Sequence, residues 1–417
     1  MKKFSKVLLF STLTLIFSIS IFSNGLNLNS IGSRASSMGT AFIGLADDFS
    51  AVFFNPAGLT QMKQANLTIF GTDLIPTGTY QLDVYGIDTQ TESEMHPSGA
   101  LAYFNPVSDK MVLGLAVYVP SGSGGTWNAD DLAPLSGGIP YNWSSKIFAI
   151  SLSPVIAYQI TDNFSVGATL NISYGMLSTE SPGVGQYSED LSGISFGATL
   201  GVLFAPSDFI SIGASLRTAS KINFEGDAVM EGFALYGLET AAIASRDATW
   251  PMVAGIGVAI KPIDKLIIVA DVVWTNWAKM DMIEVEYDDP TWQPFLDGVG
   301  VDYDYDLRWE DTWQIKLGLE YQVSECLALR AGWYSDPAPS PIATQNILLP
   351  NIDYNAITVG IGYKKNKIAI DFGFEYIIGS DRFVDPLDPA NVDAMPGTHG
   401  MSMLVPNLTF TYYFGGK

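Results

Sequence analysis

Strict alternation of apolar and polar residues, sustained over stretches of about ten residues, most limits what this chain can become. In residues 194–204 one face reads Ile194, Phe196, Ala198, Leu200, Val202 and Phe204, the other Ser195, Gly197, Thr199 and Gly201. Residues 313–323 set Trp313, Ile315, Leu317, Leu319, Tyr321 and Val323 against Gln314, Lys316, Gly318, Glu320 and Gln322. Residues 368–378 set Ile368, Ile370, Phe372, Phe374, Tyr376 and Ile378 against Ala369, Asp371, Gly373 and Glu375, and residues 166–174 repeat the pattern. Period two is the signature of a strand with two unlike faces. Each apolar face is about as long as a strand that crosses a bilayer, with aromatics near its ends.

A soluble sandwich alternates too, so the connections decide. Very short ones occur at residues 107–110, 161–163, 205–208, 262–265, 323–325 and 364–367. Between them lie long polar or Gly/Pro/Asp-rich stretches at 85–97, 120–145, 178–193, 220–248, 280–308, 335–354 and 379–400. Tight turns alternating with long loops are the outer-membrane pattern of periplasmic turns and extracellular loops. The strands between them number fourteen, an even count that puts both barrel ends on the periplasmic side. Closure also satisfies every backbone group in lipid, which an open sheet cannot do.

Composition agrees. Lys2, Lys3 and Lys6 precede an apolar run to about Phe22, then Ser23 and Gly25, which reads as a secretory signal peptide over residues 1–23. Elsewhere no run of about 18 apolar residues reads as a spanning helix, yet 47% of the chain is hydrophobic and 15% charged. Such an exported chain buries its apolar residues in a very large core or shows them to lipid. The net charge of −22 argues against nucleic acid, which needs a basic footprint, and fits loops set among anionic lipids bridged by divalent cations. Cys326 stands alone, so no internal disulfide is available.

Fourteen strands enclose more space than side chains fill, so the lumen is plugged or open. Residues 26–65 lack strand alternation and are rich in small residues, with Asp47, Asp48 and the turn Asn55-Pro56-Ala57-Gly58. They read as a compact, partly helical plug; the alternative is a periplasmic extension.

The chain resembles a known family at several points, in order. Asn24-Gly25-Leu26-Asn27-Leu28-Asn29, Gly32, Arg34, Met38-Gly39, Ala46-Asp47-Asp48 and Asn55-Pro56-Ala57 resemble the hatch of the FadL-type outer-membrane transporters of long-chain fatty acids and aromatic hydrocarbons. Leu216-Arg217-Thr218, Lys221 to Gly226, Trp250-Pro251, Val273 to Trp277, Asp311-Thr312-Trp313, Leu329 to Gly332 and Asp336 to Pro339 look like successive pieces of that family's barrel. The resemblance implies a signal peptide (1–23), a hatch (24–65) and a fourteen-stranded antiparallel barrel (66–417). It implies passive transport of a hydrophobic small molecule: capture in an apolar groove among the loops, binding in a lumenal pocket, hatch rearrangement, and exit through a gap in the wall. Asn24, Gly25 and Leu26 would reach toward the pocket, with Asn55, Pro56 and Ala57 in the hatch nearby. It further implies a monomer in contact with outer-membrane lipid and lipopolysaccharide, inserted by the barrel assembly machinery, with no cofactor or metal. The last strand departs from the pattern, ending Phe414-Gly415-Gly416-Lys417 rather than on an aromatic.

A fatty acid's carboxylate needs a partner in the pocket. Arg217, Lys316 and Arg330 have the lumen-facing parity to serve, but Glu320, Asp371 and Glu375 share that face. Either the cations bind a carboxylate or they form an ion network that holds the hatch; the second leaves a neutral hydrocarbon as ligand. Gly193-Ile194-Ser195-Phe196-Gly197 matches a nucleophile motif but lies mid-strand, not on a strand-to-helix elbow. His96 and His399 fall in expected loops, so no enzyme is expected. Asp302 to Asp306 lacks the glycine and glutamate of a calcium loop. Trp127, Trp143, Trp292 and Phe295 are candidates for the outer groove. The rival function is a general diffusion porin or a surface receptor or adhesin, and the hatch discriminates, because a porin needs an open channel.

Overall fold

The computed structural model describes residues 25–391 and 393–415. The expected leader, Asn24 and the last two residues, Gly416 and Lys417, lie outside the described residues.

Fourteen strands form the wall: β1 Asn66–Leu82, β2 His96–Ser108, β3 Met111–Trp127, β4 Trp143–Thr161, β5 Phe164–Gly183, β6 Gly185–Ser207 and β7 Ile210–Arg217, followed by β8 Val253–Ile263, β9 Leu266–Thr275, β10 Thr312–Ser324, β11 Leu327–Asp336, β12 Tyr354–Lys365, β13 Ile368–Gly379 and β14 Gly397–Tyr413. Each pairs antiparallel with the next, and β1 pairs with β14 from Asn66↔Tyr413 to Gln81↔Thr398, which closes the barrel. The faces sort as the alternation requires. Phe196 is 66% exposed and the adjacent Ser195 2%, while Trp313, Leu317 and Leu319 point outward and Gln314, Lys316 and Glu320 inward.

All six short connections are two-residue turns: Asp109-Lys110, Asp162-Asn163, Asp208-Phe209, Asp264-Lys265, Glu325-Cys326 and Asn366-Lys367. Asn366 takes the positive φ (56°) that such turns demand and that asparagine tolerates. Two of the expected long loops are instead strand. β5 and β6 stay paired to Gly183↔Gly185, and Ser220–Met230 with Ala241–Trp250 forms a hairpin extending β7 and β8 outward. Polar residues above the bilayer change what the strand faces without ending its ladder. For the same reason His96 and His399 lie in β2 and β14 rather than in loops. Outside the barrel mouth, Arg246 pins the loop from β9 to β10: its guanidinium lies 3.0 Å from Glu189 and donates to the carbonyls of Ile283 and Tyr303.

Residues 25–65 pack inside the barrel as a hatch of two short helices, α1 Ser33–Ser37 and α2 Ala51–Phe54, and a 3-10 turn Pro56–Gln61. Small residues let it seat directly on the wall. A side chain at Gly318 or Gly332 would meet the Met38-Gly39 backbone at 2.1 and 2.0 Å. Phe42, Leu45, Phe49 and Phe54 form an apolar core with Phe70, Phe104 and Val155 of the wall.

Leu200 faces outward near the middle of the spanning part of β6. Leu200→Arg is expected to cost about 2–4 kcal/mol, measured as the folding equilibrium into lipid vesicles.

Candidate functional site

The hatch is held by charge. Arg34 of α1 bridges Asp47 and Glu320, its Nε 2.7 Å from Glu320; Arg330 reaches the same Glu320 at 2.6 Å and Asp371 at 2.6 Å. Asp271 accepts the Phe42 and Ile43 amides at 2.7 and 2.8 Å, and Gly39 donates to Thr358. These bonds join hatch to wall in a water-poor lumen, where an unpaired partner is costly.

The Asn55-Pro56-Ala57 turn is another anchor. Buried Asn55 donates to the carbonyls of Ile43 and Val202 and accepts the Ala57 amide. Gly167, Gly201 and Gly213 leave room for it, since a side chain at Gly201 would meet Asn55 at 2.1 Å. This turn lines none of the lumenal cavities described below.

The wall is interrupted between β2 and β3. Their pairing runs from the turn only to Ala100↔Tyr118; farther out, β3 meets the chain again at the Thr91–Trp127 bridge. The local cause is Pro120, which has no N–H to give to a ladder, followed by Ser121-Gly122-Ser123-Gly124-Gly125. The register with β4 slips between Tyr118 and Ser121. Gly124 (φ 152°) is required: a side chain there would sit 2.3 Å from the Ser145 carbonyl. On the edge that β2 vacates lies the N-terminal segment. Leu28 N–H donates to the Pro120 carbonyl and Gly122 N–H to that of Leu26, both at 3.0 Å, with Asn27 opposite Ser121. A second gap, where β6 passes from pairing with β7 (to Thr199↔Arg217) to pairing with Ser220–Met230 (from Ser192↔Glu225), holds Thr218, which exchanges hydrogen bonds with Ala198.

A cavity of about 360 Å³ lies at this interruption. Phe70, Leu74, Met95, Phe148, Ile377 and Met403 give it apolar walls; Gly25 and Asn27 to Ser30 form one side. Two smaller cavities, of about 50 and 40 Å³, share Asn27 and Arg217 in their linings. Lys316 lines the former. Arg217 packs on the Phe53 ring and donates to its carbonyl at 3.1 Å; Lys316 lies 5.9 Å from the Tyr334 ring centroid. Arg217 and Lys316 therefore line small pockets behind the N-terminal segment, whereas Arg330 is occupied by Glu320 and Asp371. Leu26 is buried and hydrogen-bonded to β3.

Outside, a cavity of about 500 Å³ is lined by Leu135, Ile139, Tyr141, Trp143 and Met395 among others. Of the four loop aromatics considered, Trp143 lines it. Trp127 and Trp292 are buried, and Phe295 packs on Phe233 and Tyr236. The sequence reading missed Pro120 and its glycine-rich sequel. Their signal was a proline and three glycines inside a strand, a mark of an edge or bulge, hidden because the stretch read as loop.

A closed, plugged barrel with an interrupted wall and an inner cavity defines a class: outer-membrane transport proteins. The family described as outer membrane protein transport protein (OMPP1/FadL/TodX) matches residues 14–414, and the chain belongs to it. It is similar to outer membrane protein P1 of Haemophilus influenzae, 23% identical over 82% of this chain and 84% of that one. An outer membrane protein of Neisseria meningitidis serogroup B is 24% identical over 88% and 85%. The fold matches a Pseudomonas aeruginosa FadL homologue (TM-score 0.77, 19% identity, 94% and 100% covered) and the Pseudomonas putida toluene transporter TodX (0.70, 16%, 95% and 100%).

Arg330→Met leaves Glu320 and Asp371 short of one cation. We expect a loss of about 3–5 kcal/mol, as when one partner of a buried pair is removed, read from denaturant unfolding in detergent.

Proposed function

We propose that this protein carries hydrophobic small molecules across the outer membrane by passive binding and release. The observation that carries the reading is the apolar cavity at the β2–β3 interruption, bounded by the N-terminal segment. The similarity to a FadL homologue and to a toluene transporter supports the substrate class. An apolar molecule is first caught in the outer cavity beside Trp143, moves to the lumenal cavity, and leaves sideways between β2 and β3 into the membrane. It crosses a lipopolysaccharide layer poorly but enters hydrocarbon with a favourable free energy. Leu26 to Asn29 are the moving part: they hold to β3 by a few hydrogen bonds and separate the large cavity from the pockets of Arg217 and Lys316.

The substrate class is that of long-chain fatty acids and related hydrocarbons, an apolar body with at most one polar end. No catalysis, cofactor or metal is part of this reading. The protein works as a monomer among outer-membrane lipid and lipopolysaccharide, placed there by the barrel assembly machinery. The porin reading is disfavoured by the hatch, whose apolar core with the wall occupies the lumen.

Two experiments test this. Detergent-purified protein should bind labelled toluene or a long-chain fatty acid saturably and show no ion conductance in planar bilayers. Failure of both ligands to saturate, or a steady conductance, sinks the proposal. Second, a disulfide across the Asn27↔Ser121 bridge (Asn27→Cys with Ser121→Cys, in a Cys326→Ser background) should abolish uptake when oxidised and restore it on reduction. Unchanged uptake by the oxidised form would show that the segment does not move.

A further inference from the structure

The lumenal cavity is not uniformly apolar. Where it meets the hatch, Asp336 and Glu375 line it, each 4% exposed. Asp336 accepts hydrogen bonds from Asn29 at 2.5 Å and Gln314 at 2.7 Å. Glu375 accepts from Ser36 at 2.8 Å and Tyr334 at 3.0 Å. Among the described residues no ion pair within 4.0 Å involves either of them, unlike Glu320 and Asp371. A carboxylate has about four acceptor sites, and each here has two protein donors. Two further groups that titrate or carry charge line the cavity: His96, and Lys146, which is exposed on the outward face of β4 with Phe148. The inward-facing cations Arg217 and Lys316 line other pockets, and Lys316 acts on Asp336 and Glu375 from behind without coming within 4.0 Å of either.

We infer that, among hydrophobic molecules, the cavity prefers those whose polar end donates hydrogen bonds (an alcohol, a phenol or an alkylammonium) over carboxylates, with Asp336 and Glu375 as the specificity-determining residues. The inference rests on the transport reading above and narrows its substrate. A donor head group fills the unused acceptor sites. A carboxylate head would meet two buried carboxylates that already share one cation, Lys316, and like charges at such range disfavour each other. To reach Arg217 or Lys316, a fatty acid must first displace the N-terminal segment.

The test is equilibrium binding to the full-length protein in an uncharged detergent. Three probes of one chain length are compared, dodecanol, dodecylamine and dodecanoate, at a pH where the amine is protonated and the acid ionised. Dodecanol and dodecylammonium should bind about tenfold tighter than dodecanoate or better. In Asp336→Asn/Glu375→Gln, which keeps shape and removes both charges, dodecanoate should tighten and dodecylammonium weaken, each severalfold. The wild-type ranking decides even if that variant does not fold. Dodecanoate binding as tightly as dodecanol, or an unchanged ranking in the folded double variant, overturns the inference alone. No saturable binding of any probe overturns the transport reading and this inference together.

Discussion

Everything in this structure depends on closing a hydrogen-bonded ring in a solvent that offers no hydrogen bonds. In hydrocarbon an unsatisfied N–H or C=O costs several kcal/mol, so β1 must find β14, and it does so along almost its whole length. Closure with fourteen strands sets a lumen too wide for side chains alone to fill. The hatch follows from that. It lies within one chain length of β1 and its small residues sit against lumenal glycines of the wall, so the same glycines that weaken strand propensity create the seat.

Against that requirement, the break between β2 and β3 is the informative exception. Backbone groups on the free edge of β3 are satisfied by Leu26 and Leu28 instead of by β2. The N-terminal segment thus does the work of a wall strand without being part of the wall. Those groups would need another partner if the segment left. The gap between β6 and the strand Ser220–Met230 shows the contrast: Thr218 bonds to Ala198 with its own side chain and backbone, and the cavity there is only about 40 Å³.

Charge inside the barrel is divided by task. The chain from Asp47 through Arg34, Glu320 and Arg330 to Asp371 is paired and mechanical, tying α1 to β10, β11 and β13. Asp336 and Glu375 are bonded to neutral donors and face the cavity. Arg330 and Asp336 share one face of β11, and Asp371 and Glu375 one face of β13, so position along the barrel, not facing, separates the mechanical from the chemical.

Much of this was legible in the sequence because strands report their faces locally. The alternation in β6, β10 and β13 told which residues meet lipid, and the six tight turns gave strand number and orientation. Loop boundaries were less legible, since polarity marks the end of the membrane rather than the end of a strand, as β5 and β6 show. The site was least legible. Parity placed Arg217, Lys316 and Arg330 alike on the lumenal face, and only packing showed that Arg330 is held by two carboxylates while the others line pockets. Asn55 reads from sequence as a turn residue near a pocket; its role as an anchor depends on glycines of the successive strands β5, β6 and β7, far from it in the chain. Sequence by itself determined the faces, the count and the compartment, because those follow from period and spacing. Tertiary structure decided that the stretch after Pro120 is wall rather than loop, so that its break opens the ring, and which buried carboxylates are salt-bridged, because both depend on which segments become neighbours inside the barrel.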